Sequence, residues 1–390
     1  MKLLRRCLMA VTLNCAAMGS GNAASIKTLH KFTGHPDGAD PVGPLINVGW
    51  MLYGTTKLGG KSRRGSVFKT DLATNTTAVI YSFRKQDDGH YPVAGLINVN
   101  GSLFGVTTKG GTSDCGTIFK IDPTTATETD VFDFDGEDGI FPYASLTKVG
   151  GTLYGTASEG GTGNAQGTVF KFDPTTGVLV VLHSFQGYAD GILPYSKLIK
   201  VGGSLFGTTY GGGGAGGVCN AFGCGTIFKV DLSTGTEEIV YSFKGSNDSS
   251  FPTTGMIYLS GLLYGTSYGG GTNGNGTVFQ FNPVTGAERV VYSFNGGADG
   301  EYPIAALTDV GDTLFGTTIG GGADNVGTIF QLNPETGAES VVDSFKGPDQ
   351  REPYGALIKV GNHLYGTTSG QAAGKSRSKA GSVFKLKLQP

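Results

Sequence analysis

Apolar residues along this chain fall in short runs, broken by turns rich in Gly, Pro, Asn, Asp and Thr. Between positions 143 and 185 the runs are "YASLTKV" (143–149), "TLYGTAS" (152–158), "GTVFKFD" (167–173) and "LVVLHSF" (179–185). Their length and their β-branched and aromatic content predict four strands, here named a to d. A Gly-Gly or Asn-Gly pair between a and b suits the primed turns that join twisted antiparallel strands. The "DPTTG" between c and d places Pro second and Gly where a positive φ is needed, a type I turn closed by a bulge. Strand c carries adjacent apolar residues such as Val169 and Phe170, which predicts a strand covered on both faces.

The same four-strand pattern recurs. "L-[YF]-G" ends on Gly54, Gly105, Gly155, Gly207, Gly265, Gly316 and Gly366. "G-[ST]-[VI]-F" ends on Phe68, Phe119, Phe170, Phe228, Phe279, Phe330 and Phe384. An Asp stands four residues before a Pro at Asp37, Asp88, Asp138, Asp190, Asp248, Asp299 and Asp349. Three independent markers therefore give seven copies of one unit. Seven four-stranded sheets stacked face to face around an axis make a seven-bladed β-propeller, an all-β fold. The last copy stops after strand c, at "GSVFKLKLQP". Its strand d is expected at the other end of the chain, where "SIKTLHKF" matches "RVVYSF" and its sister segments. Strand 26–32 would then complete blade seven and close the ring, leaving no half-blade edge.

The first residues follow a different pattern. Lys2, Arg5 and Arg6 precede an apolar stretch and small residues around Ala23 and Ala24, the layout of a secretory signal peptide over 1–23. A lipoprotein reading through Cys15 is disfavoured by Asn14, which stands where a small residue is wanted. The propeller is expected over 24–390 as a single domain, monomeric, secreted or periplasmic. No later run is apolar enough to span a bilayer, and the chain ends at Pro390 without an anchor.

Composition adds two points. Gly, at 68 residues, lacks a G-X-Y period, which excludes collagen. Loss of three basic residues with the leader moves the formal charge from −2 to −5, so nucleic acid is not an expected partner. Of the remaining cysteines, Cys219 and Cys224 close the short loop "CNAFGC". In an oxidising compartment this reads as a local disulfide, with zinc a lesser alternative. Cys115 has no neighbour in sequence.

The units "LYGTT..GG....GTVFK.DP.TG....VYSF.G.DG..P" resemble the GloVer (gloeo-Verruco) tandem repeat of exported bacterial proteins, over essentially the whole mature chain. That resemblance implies a propeller-type repeat and export, and implies no particular activity.

Propeller topology puts a–b and c–d turns on one face, b–c and d–a connections on the other. The b–c loops vary most between copies, from "KLGGKSRR" to "YGGGGAGGVCNAFGC" and "SGQAAGKSRSKA". Variable loops on a rigid scaffold are where binding usually resides, although such loops also tolerate insertion without any ligand. Ring closure brings blade one (Lys57, Lys61, Arg63, Arg64, Arg84, Lys85) beside blade seven (Lys375, Arg377, Lys379), forming one cationic sector. It suits sulfated, phosphorylated or uronic-acid polymers through salt-sensitive contacts; the bland alternative is a set of solvated loops.

The repeated Asp of "D-G-x-x-P" is read as a turn residue bonding its own backbone, since its spacing lacks calcium-loop ligands. No metal or other cofactor is expected. His30 and His183 occupy strand-d positions held elsewhere by Tyr81, Tyr241 and Tyr292, and read as packing residues. His35 and His90 lie in d–a connections and are the weak candidates for acid–base work. Tyr210 and Tyr268 precede b–c loops and read either as edge packing or as stacking platforms for sugars. The sequence therefore favours a binding propeller for an anionic polysaccharide, envelope polymer or protein. A polysaccharide-active lyase or hydrolase and a non-catalytic matrix protein are the alternatives.

Overall fold

A computed structural model describes residues 25–84, 88–163, 165–214, 219, 222–347, 350–370 and 380–389. The leader at 1–23 lies outside them, as do Lys85, Asp349, Lys375, Arg377 and Lys379. Among the described residues there are seven antiparallel four-stranded sheets, two small two-stranded ones and a single 3-10 turn at Gly297–Asp299. The sheets form a ring, a seven-bladed propeller. Blade one runs Ile46–Val48, Met51–Thr56, Ser66–Asp71 and Thr76–Ser82, in the order a, b, c, d. The other blades repeat it.

Blade seven takes its strand d from the start of the chain. Ile26–Lys31 pairs antiparallel with Ser382–Lys387, Ile26 opposite Leu386 and Lys31 opposite Ser382. The Phe32 amide then donates to the Gly381 carbonyl at 2.9 Å, and the Phe32 ring packs edge-on to Phe68 of blade one. The expected closure is present.

Each recurring motif has a packing role. The Gly of "L-[YF]-G" lies under the ring of the next strand's Phe: a Cβ on Gly155 would sit 2.5 Å from Phe170 Cζ and 2.9 Å from Leu146 Cδ2. Those Phe rings are fully buried in all seven blades and form the repeated core, which explains the adjacent apolar residues of strand c. The following Thr works between blades. Thr55 Oγ1 donates to the Ala94 carbonyl of blade two at 2.9 Å, and Thr317 Oγ1 to the Pro353 carbonyl of blade seven at 3.0 Å. Thr367 does the same to Gly43, across the closing seam.

Strand a is shorter than the sequence pattern predicts, Thr147–Val149 in blade three instead of 143–149. Of the preceding residues, Ser145 bonds sideways instead, its Oγ accepting from the Gly95 amide of blade two at 2.8 Å. The expected turn geometry holds at Asn100-Gly101, where both residues have positive φ, and at Gly177, φ +74, between c and d. The ladder bulge, however, falls inside strand d, at Leu182 opposite Val169 and Phe170 in blade three, and not at the turn.

The recurring Asp does bond its own backbone. Asp88 Oδ2 accepts from the Arg84 amide at 2.6 Å and from the Tyr81 hydroxyl at 3.0 Å. His30 and His183 replace that Tyr and face Asp37 and Asp190 in the same way, at 3.0 and 3.1 Å. Four seams add a Glu from the next blade's strand d, and sequence reading missed it because the partners lie in different units. Burial, reinforced by nearby Asp carboxylates, pushes Glu128, Glu288 and Glu339 up to about 8. These carboxyls start from an ordinary value of 4.5, so between pH 4.5 and 8 the native state holds more protons than the unfolded one. Stability should therefore fall as pH rises through that window, by about 1 kcal/mol per site once solvent screening is allowed for. Thermal melts should give a higher Tm at pH 5.5 than at pH 8.5. Glu288→Gln with Glu339→Gln should flatten the difference; an unchanged slope would refute this origin.

Candidate functional site

The residues around the repeated Pro converge on the propeller axis. The residue before it has a left-handed backbone in every copy, for instance Asp40 (φ 60), Phe141 (φ 55), Phe251 (φ 58) and Glu352 (φ 51). That turn lets its carbonyl accept the amide that follows strand b, as Asp40 does from Lys57 at 2.9 Å and Leu193 from Tyr210 at 3.0 Å. The chain then enters the axis, and the residue after Pro faces it: Val42, Val93, Tyr143, Tyr195, Thr253, Ile304 and Tyr354 all line an axial channel of about 940 Å³. The channel opens on the face of the b–c and d–a connections, with Lys57 and Ser369 at its mouth.

The mouth is asymmetric. On one side an arc of rings runs from Tyr143 to Tyr195 (5.3 Å between centroids), Tyr210 (5.8 Å) and Phe251 (5.1 Å, stacked). Tyr268 stacks on Tyr302 at 4.7 Å farther round. Tyr143 and Tyr268 keep 40% and 37% of their surface exposed, so rings remain open to a ligand. On the other side, at the junction of blades one and seven, the two acidic pre-Pro residues meet. Asp40 is buried, and that burial, with Glu352 nearby, outweighs the Lys57 charge and raises its carboxyl to about 6. Glu352 accepts from the Tyr354 hydroxyl at 3.2 Å. Burial likewise pushes the Tyr195 phenol up to about 12.

Besides Asp40, Lys57 and Glu352, two lysines line the channel, Lys197 and Lys200, and Lys200 donates to the Gly202 carbonyl. Lys197 occupies a wall position held by Pro44, Gly95, Ser145, Gly255, Ala306 and Ala356 in the other copies. No carboxylate pairs with it among the described residues. It is open to the channel but crowded by its walls, and this desolvation lowers its ammonium below the usual lysine range. An unpaired cation beside open aromatic rings can hold an anionic group of a ligand whose flat faces stack on tyrosine.

The expected cationic residues are distributed over several places. Lys57 lines the channel mouth. Arg64 is committed to Tyr91, donating to its hydroxyl at 3.0 Å with the guanidinium over the ring. Lys61 and Arg84 line a second groove at the outer seam of blades one and two, beside Asp88 and Glu128. Arg63 sits in the b–c loop with φ 59. His35 is exposed, whereas His90 is largely buried, 3.7 Å from Asp114 and edge-on to Tyr91. No contact joins the two histidines among the described residues. Cys219 and Cys224 form the expected disulfide, and Cys115 is a free thiol raised by burial. The channel residues Tyr143, Tyr195, Lys197, Glu352 and Tyr354 escaped the sequence reading, although the variation after each repeated Pro carried the signal.

Comparisons with known proteins agree with this architecture. No curated protein sequence matches the chain. Among solved structures it resembles an oligogalacturonate lyase in complex with manganese, at 12% identity and TM-score 0.58, over 94% of this chain and 97% of that one. An oligogalacturonate lyase from Vibrio parahaemolyticus gives 12% identity and TM-score 0.58, over 95% of both chains. The extracellular domain of a one-component system from B. thetaiotaomicron gives 12% identity and TM-score 0.62, over 93% of this chain and 40% of that one. At such identities the likeness concerns the fold. No helix among the described residues is long and apolar enough to cross a membrane. The Gloeobacter/Verrucomicrobia repeat profile matches residues 18–219 and 216–390, and the chain belongs to that repeat family.

Proposed function

We propose that this protein is an exported glycan-binding propeller that takes an acidic saccharide chain into its axial channel. The observation that carries this reading is Lys197, a cation with no carboxylate partner among the described residues, in the wall of a channel whose mouth is ringed by open tyrosines. Sugar rings present apolar faces that stack on Tyr143 and Tyr195, and a uronate or sulfate group is drawn to Lys197 and Lys57. Export rests on the leader-like residues 1–23, and secretion or release to the periplasm would leave a mature chain starting at Ala24. Amino-terminal sequencing of the exported protein tests that point.

Binding is tested by titrating the chain lacking residues 1–24 with neutral and acidic oligosaccharides at low and moderate salt. Acidic ligands should bind, more weakly as salt rises. Tyr195→Ala should cost about tenfold for any saccharide held there, near the upper end of what stacking on an aromatic ring contributes. Lys197→Gln should cost about tenfold for acidic ligands only. If both variants bind as wild type while Lys61→Gln with Arg63→Gln abolishes binding, the site lies on the b–c loops instead. Release of unsaturated or hydrolysed products during the titration would replace binding with catalysis.

The Asp40 carboxyl gives the site a pH signature. Raised to about 6, it loses its charge as pH falls through that value, which removes a repulsion at the mouth. Acidic saccharides should therefore bind more tightly at pH 5 than at pH 7.5, and Asp40→Asn should remove the difference.

A further inference from the structure

At each seam three repeat positions come together: the Tyr-type residue of one strand d, the Asp that follows it, and the first residue of the next blade's strand d. Between blades four and five these are Tyr241, Asp248 and Glu288, with the phenol donating to Asp248 at 3.0 Å. Between blades five and six the same set recurs. The seam between blades seven and one has a His and an Asp but Thr77 in place of Glu. The seam between blades two and three is apolar, with Phe132 and Leu179. Among the described residues, only the seam between blades three and four unites a His, an Asp and a Glu.

Its geometry is compact. His183 Nε2 lies 3.1 Å from Asp190 Oδ2 and 3.7 Å from Glu237 Oε2, and one ligand atom from each residue falls within 4.8 Å of the others. The Glu237 side chain is 6% exposed, and its buried Oε1 has no hydrogen-bond partner, as at Glu128, Glu288 and Glu339, so the His ligand is what sets this seam apart. A buried carboxylate oxygen without a donor is costly, so it calls for a missing cation or proton. The adjacent Glu238 adds negative charge, and Lys229 is spent on Glu238 at 2.9 Å. The acidic seam of blades one and two differs, because Arg84 and Lys61 already stand beside it.

We propose that His183, Asp190 and Glu237 bind one divalent transition-metal ion of the zinc type, bridging blades three and four. One imidazole nitrogen and two carboxylate oxygens are a borderline donor set, which suits zinc better than calcium or magnesium. Metal–ligand bonds of about 2.0–2.2 Å place tetrahedral donors roughly 3.3 Å apart, so small side-chain adjustments close the set on an ion. The ion supplies the charge that the Tyr hydroxyl and a shared proton supply in part at the sister seams.

The test uses the chain lacking residues 1–24, stripped with chelator and dialysed against Zn²⁺, with metal content and thermal melting both read. One tightly held Zn²⁺ per chain and a higher Tm with zinc are expected. His183→Tyr installs the residue of the neighbouring seams and so preserves the fold; it should lower zinc affinity at least about tenfold, as loss of one ligand requires. Glu237→Gln should do the same, while His30→Tyr, at the seam without Glu, should not. If the wild type retains no zinc, or if His183→Tyr and Glu237→Gln bind it as tightly as wild type, the seam shares a proton only and the proposal falls.

Discussion

A chain beginning at Thr33 should fail to melt cooperatively, or should melt far below the intact protein. Removing residues 25–32 deletes strand d of blade seven and the buried Phe32, which packs with Leu45, Leu52, Phe68 and Val383. Losing a buried Phe alone costs about 3–5 kcal/mol. The ladder to Ser382–Lys387 and the bond from Phe32 to Gly381 go with it. Against a typical total of about 5–15 kcal/mol, that loss is decisive. It would also expose the edge of Ser382–Lys387 to pairing with other chains. Circular dichroism melts and size-exclusion chromatography read both effects. A synthetic peptide of residues 25–34, added in trans, should restore part of the transition. A truncated chain with an unchanged Tm would show that the seam contributes little.

Gly155→Ala should destabilise the fold measurably, although it adds one methyl group. That methyl would enter the space of Phe170 and Leu146, which are 0% and 1% exposed. Neither can swing outward, because both are enclosed between their own blade and blade two, where Phe134 packs on Phe170. Overpacking of this kind costs about 1–3 kcal/mol and sometimes more. At this size each kcal/mol lowers Tm by about 1–2 °C. Gly151→Ala, four residues earlier, meets nothing within 4 Å and should be neutral. Melts of the two variants side by side decide the matter; equal values would mean that the Gly is there for backbone freedom and not for the ring above it.

The blade count, the strand order within a blade and the closing strand were legible because they depend on patterns internal to one unit. Repetition made each pattern visible seven times. The disulfide was legible for the same reason, since Cys219 and Cys224 are close in sequence. What escaped was everything assembled from several units at once. The channel takes one residue from each blade, so Tyr143, Tyr195 and Tyr354 look like ordinary turn residues until the ring brings them to one mouth. Lys197 stands out only when compared with Ala, Gly, Ser and Pro at its sister positions. The seam Glu was missed because its partner belongs to the preceding unit. Of the expected cationic residues, Arg64 and Arg84 lie over neighbouring rings, Tyr91 and Tyr81, which charge counting does not foresee.

The closing strand also sets an order of events in time. Ile26–Lys31 leaves the ribosome before any other strand of the propeller, and its partner Ser382–Lys387 leaves last. Six blades can assemble from contiguous sequence as they emerge, but the seventh must wait for Ser382–Lys387. Until then the first-made strand has no mate of its own, and the nearly finished ring stays open at a single gap. The ring is thus completed only once Ser382–Lys387 has been made, and a chain cut short before that strand is marked by an unclosed ring.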